Sequence, residues 1–190
     1  MNRNTILILL AFLALTTQKV NNPHSNSSAP VEEVQQPTES PITAASEREQ
    51  IVQDEGFSAT IYNDSLGNET AGYGHLITEE DKKLLQEDGT FSQETIDQWF
   101  EQDMKEAEDD VNAYLGGKEV PEEVRSVLTN MAFNMGRTNL SEFKKMKKAI
   151  EEENWDEMAK QMEESEWYGT VGNRADRLIQ RIRLLNSQGS

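Results

Sequence analysis

Apolar positions along the chain change rhythm three times. Residues 6–15 read ILILLAFLAL, an unbroken apolar run of ten behind Arg3. Such a run is too short to cross a bilayer comfortably, which needs roughly 20 apolar residues, but it suits the core of an export signal. Residues 1–17 are therefore expected to be a signal peptide or a short signal anchor. Residues 18–46 then hold four of the five prolines (Pro23, Pro30, Pro37, Pro41) among Ser, Asn, Gln, Thr and Glu. This composition predicts a disordered linker, with a root-mean-square reach of about 30 Å for a flexible chain.

From there to residue 187 the pattern is that of one folded domain, mostly helical in period. A helix is expected up to Glu55, ended by Gly56. Ile96, Trp99, Phe100, Met104, Ala107, Val111 and Tyr114 mark one face of a helix of five or six turns, long enough to bridge two lobes. Val124, Val127, Leu128, Met131, Ala132 and Met135 form a second stripe, with Gly136 placed to end it. Three more follow: Phe143, Met146, Ala149 and Ile150; Trp155, Met158, Ala159 and Met162 behind Asn154; Ala175, Leu178, Ile179, Ile182 and Leu185 behind Asn173. Both asparagines stand where N-caps belong. Only residues 57–75 differ, since Ala59–Tyr62 and Thr70–Tyr73 have strand composition around a turn-rich stretch, which predicts a hairpin. Thr78 should open a further helix with Asp81 as its capping partner. The fold class is α+β: a small hairpin lobe and a larger helical lobe joined by a long bridging helix.

Charge and composition narrow the chemistry. With 18 basic and 35 acidic residues the formal charge is −17, and the bridging helix alone carries eight acids from Glu94 to Asp110. Nucleic acid is excluded as a partner, because phosphate binding needs clustered Lys and Arg. A membrane contact is expected only through the N-terminal segment. The chain has no cysteine and two histidines, His24 and His75, so thiolate and His-based metal sites lack ligands, and no metal or cofactor is expected. Asp64 does not open a calcium loop: Gly is missing from the sixth position, and His75 stands where the twelfth requires Glu. Chemistry is left to carboxylates, hydroxyls and amides.

Two carboxyls stand out by surroundings. Glu55 closes a helix, where the negative end of the dipole disfavours ionisation, whereas Asp64 lies in a turn and stays charged. That pairing suits glycoside cleavage, which needs a proton donor and a second group opposite it. Taken singly, either acid in a chain with 35 of them reads as a solvated surface group.

The spacing Glu55-Gly56-x5-Tyr62-x-Asp64-x2-Gly67-x2-Thr70-x-Gly72-x-Gly74-His75 resembles the catalytic segment of phage-type lysozymes, glycoside hydrolase family 24. Asn130-Met131-x-Phe133-x-Met135-Gly136-x-Thr138, Trp155-Asp156-Glu157, Trp167-Tyr168 and Asn173-Arg174-Ala175 resemble the family's helical-lobe motifs in the same order. The resemblance implies a lysozyme-like fold and muramidase activity on the β-1,4 bond between N-acetylmuramic acid and N-acetylglucosamine of peptidoglycan, with inversion. Carried over, Glu55 is the general acid, Asp64 the catalytic aspartate, and Thr70 the residue that places water. Leu76 and Phe133 line the sugar cleft, Gln161 recognises sugar, and Arg174 lies near Glu55, where it would favour the ionised form. His75 is expected to bond a carboxylate of the bridging helix such as Asp103. A monomeric, exported endolysin is expected, in the periplasm, wall or medium. A membrane-tethered wall-remodelling enzyme and a non-catalytic peptidoglycan-binding protein are the alternatives.

Overall fold

A computed structural model describes residues 44–64 and 67–187; the signal segment, nearly all of the linker and His24 lie outside them. The described residues hold seven α-helices, a 3₁₀ turn and a three-stranded sheet: α1 (Ala44–Glu55), β1 (Ser58–Asn63), β2 (Glu69–Gly72), β3 (His75–Leu76), the turn (Asp81–Leu84), α2 (Gln93–Leu115), α3 (Glu122–Glu142), α4 (Lys144–Glu151), α5 (Trp155–Glu163), α6 (Glu166–Val171) and α7 (Asn173–Ser187).

The α2 stripe explains why two lobes form one body. At 23 residues it is about 35 Å long. Ile96 and Trp99 pack with Ala71 and Phe91 under the sheet, Phe100 and Met104 pack on Ile51 of α1, and Ala107 to Leu115 enter the main core of the helical lobe. Both ends are capped, by the Ser92 hydroxyl accepting from the Thr95 N–H and by Gly116 in the left-handed region.

The sheet has one more strand than the hairpin expected from sequence. Antiparallel pairing in the order β1-β2-β3 sets Tyr62 opposite Thr70 and Thr70 opposite Leu76, so these three share one face. Ala71 and His75 take the other, toward α2. Strand β3 is two residues long, too short to show an alternating pattern. Gly72 allows the sheet to sit close: a Cβ there would meet Ile96 Cγ2 at 3.0 Å.

Two helix boundaries also depart from expectation, and one holds. Thr78 and Asp81 do form a reciprocal cap (Thr78 N–H to Asp81 Oδ2, 2.8 Å; Asp81 N–H to Thr78 Oγ1, 3.2 Å), but they open only a 3₁₀ turn. Gly136 ends the first segment of α3 as expected, at φ 71°, ψ 168°, and a second helical segment with Leu140 fully buried runs from there to Glu142. Asn154 caps α5 as expected, accepting from the Glu157 N–H, while Asn173 is the first residue of α7 rather than its cap. The short α6 had too few residues to show a period.

Candidate functional site

Glu55 is the last residue of α1, and Gly56 at φ 73° turns the chain away toward β1. The glutamate is 4% exposed. Its Oε1 accepts from Arg174 Nη1 of α7 at 2.6 Å. Arg174 is itself held in place: Nε donates to Asn130 Oδ1 (2.7 Å) and Nη2 to the Asn130 carbonyl (3.1 Å). Asn130 is fully buried in α3, so three helices converge on one carboxylate. The neighbouring Asp54 pairs with Arg177 and lies 3.5 Å from Arg174 Nε. This geometry realises the Glu55–Arg174 proximity expected from sequence and adds Asn130 and Asp54, which sequence reasoning missed in this role. Asn130 belonged to a recognised motif; Asp54 carried no signal beyond adjacency to Glu55.

Asp64 directly follows β1, and its bonds to Asn68 are local. Its Oδ1 accepts from the Asn68 N–H (2.8 Å) and its Oδ2 from the Asn68 side-chain amide (3.0 Å). Thr70, fully buried, donates its hydroxyl to the Asn68 carbonyl at 3.2 Å. Asn68 thus ties the candidate aspartate to the candidate threonine, a role an unassigned turn asparagine did not announce. Burial, then the charges of Glu55 and Asp64, push the Tyr62 phenol above its ordinary value, which places Tyr62 in the field of both acids. Leu76 follows Thr70 across the sheet.

The remaining candidates lie on the helical side. Half-buried Phe133 packs against Phe100 in a tilted ring pair at 5.6 Å, where the α1 contact and the main core meet, so it serves packing whatever else it touches. Gln161 donates to Glu157 (2.8 Å) within α5. It lines a cavity of about 730 Å³ with Phe143, Met146, Lys145 and Trp167. Glu55 lines a second cavity of about 460 Å³ with Asp54, Asn134, Arg174 and Arg177. Thr170 lines both, so Gln161 and Glu55 are not in contact but front adjoining spaces. Asn134 fixes the wall between them by accepting from Trp167 Nε1 at 3.0 Å.

His75 keeps to structure. Its Nδ1 lies 2.9 Å from Asp103 Oδ2, as expected, its Nε2 lies 3.7 Å from Asp81, and its ring stacks on Trp99 at 4.6 Å. Among the described residues no cluster of three or more His, Asp or Glu side chains could hold a metal ion.

A small sheet lobe bridged by a long helix to a helical lobe, with a buried glutamate at the end of the first helix and an aspartate in the loop after the first strand, defines a lysozyme-like hydrolase class. The family model for phage lysozyme matches residues 52–183, and the chain belongs to that family. It is 32% identical over 147 residues, 66% of this chain and 86% of the relative, to a probable T4-type lysozyme 2 of Dictyostelium discoideum. A probable T4-type lysozyme 1 of the same organism is 31% identical over the same shares. The pre-baseplate central spike protein Gp5 of Enterobacteria phage T4 is 26% identical over 150 residues, which cover 26% of that longer protein. Family membership carries a muramidase-type peptidoglycan hydrolase activity.

Proposed function

We propose that this chain acts as an exported endolysin that cleaves the β-1,4 bond between N-acetylmuramic acid and N-acetylglucosamine, with inversion and without a cofactor. The observation that carries the reading is a buried glutamate fixed by Arg174 in a chain that also holds an aspartate fixed by Asn68 and joined through it to Thr70. Glu55 delivers a proton to the departing oxygen, and the Arg174 guanidinium receives the carboxylate left behind. Asp64 and Thr70, joined through Asn68, orient the attacking water. Leu76, Phe133 and Gln161 contact the glycan. Export through residues 1–17, a linker ahead of α1, and action as a monomer complete the proposal.

A water between acid and base implies inversion, because direct attack by Asp64 would require carboxyls only about 5–5.5 Å apart. Proton NMR of the first-formed reducing sugar, read before mutarotation, should show the α-anomer. An initial β-anomer, or a glycosyl adduct on Asp64, contradicts the mechanism while sparing the hydrolase assignment. Mass spectrometry of digested walls should find reducing ends on N-acetylmuramic acid; reducing ends on N-acetylglucosamine contradict the bond assigned.

A further inference from the structure

Helix α1 carries Glu55, yet little apolar surface fastens it. Glu47, Ile51 and Glu55, at i, i+4 and i+8, share its inner face, and both acids are buried with the fully buried Ile51 between them. The fastening to α7 is ionic instead. Glu47 pairs with Arg181, Asp54 with Arg177 and Glu55 with Arg174, in antiparallel order. Eight residues of α1 rise about 12 Å and seven of α7 about 10 Å, so the outer two pairs fit the same stretch of helix.

The Glu47 end is built with care and at a cost. Both terminal nitrogens of Arg181 donate to Glu47 Oε2, at 3.3 and 3.2 Å. Ser126 of α3 donates to the same oxygen, and Arg181 Nε donates to Glu123. Glu47 Oε1 is buried with no hydrogen-bond partner among the described residues. A buried ion pair is a weak source of stability, and a bare buried oxygen weakens it further. What this arrangement supplies is geometry: it fixes the rotation and axial register of α1 at the end opposite the acid.

We infer that Glu47 and Arg181 form a positioning pair for Glu55, setting the reach of the acid through the length of α1. The inference rests on the proposed role of Glu55 as proton donor. A merely structural pair would change stability alone, whereas misplacing an acid by a fraction of an ångström lowers turnover with little effect on binding.

The test measures kcat and KM on soluble peptidoglycan fragments, with thermal unfolding followed in parallel, for the full chain and its variants. At a temperature where each is folded, Arg181→Met should lower kcat about tenfold with KM changed less than about twofold. Glu47→Gln, which leaves Arg181 bonded to Glu123, should lower it by a smaller factor and serves where Arg181→Met is too unstable. Glu47→Leu/Arg181→Met, which replaces the pair by apolar contact, should regain both stability and turnover. Single variants that lose stability but keep kcat overturn the inference, as does a double variant that regains stability without turnover. Parent and Glu55→Gln run alongside: an inactive parent, or an active Glu55→Gln, defeats the proposed function, while an active parent with unchanged single variants defeats only the positioning role.

Discussion

Glu55 and Asp64 lie nine residues apart in sequence and are held in opposite ways. Glu55 depends on Arg174, 119 residues away, and through it on Asn130 of a third helix. Asp64 depends on Asn68, four residues along the same loop. One carboxyl is fixed by assembly of the whole domain, the other by a turn that closes on itself. The difference teaches that a site can have a locally encoded half and a globally encoded half, which should fail separately.

Arg174→Met should give the largest effect on stability. It leaves Glu55 buried without its partner, and breaking such a pair from one side costs about 3–5 kcal/mol. Denaturant unfolding would show it, together with loss of wall hydrolysis; a loss under about 1 kcal/mol would mean that solvent reaches Glu55 and that the two carboxyls are held alike. Asn68→Ala keeps the backbone N–H bond to Asp64 but removes the side-chain amide bond to its Oδ2, and should cost about 1–3 kcal/mol, with activity falling further than stability explains. Unchanged activity in that variant would release Asp64 from its proposed role.

The same contrast governs how much could be read from sequence. Local signals were faithful: the end of α1 at Gly56, the α2 stripe, the Thr78–Asp81 cap and the Asn154 cap all stand in the structure. Strand β3 and α6 escaped because two and six residues cannot display a period. At Gly136 the backbone signal was right, and a second helical segment that buries Leu140 begins beyond it. Arg174 was expected beside Glu55 only through family resemblance. Glu47 and Arg181 gave no sign at all, since two charges 134 residues apart in a chain with 35 acids become partners only once α1 and α7 are laid side by side.

The smallest effect belongs to the small lobe. Burial works against ionisation of Asp81, but the Thr78 hydroxyl and N–H, with His75 beyond, outweigh it and hold the carboxyl below its ordinary value of 3.8. An acid depressed on folding contributes fully above that ordinary value, and the contribution is lost as pH falls from it through the lower folded value. Asp81→Asn should therefore cost about 0.5–1 kcal/mol at neutral pH, the worth of an exposed cap, and the gap from the parent should close below about pH 4. Thermal unfolding across that range checks the sign; a gap that widens in acid would refute it.

Clearing of purified cell walls by the full chain, compared with Glu55→Gln, tests the central claim most directly. The substitution keeps volume and a hydrogen-bond acceptor for Arg174 but removes the proton donor, so clearing should fall at least about 100-fold while the variant stays folded. Clearing by Glu55→Gln at more than about a tenth of the parental rate would contradict the assignment of Glu55 as the acid.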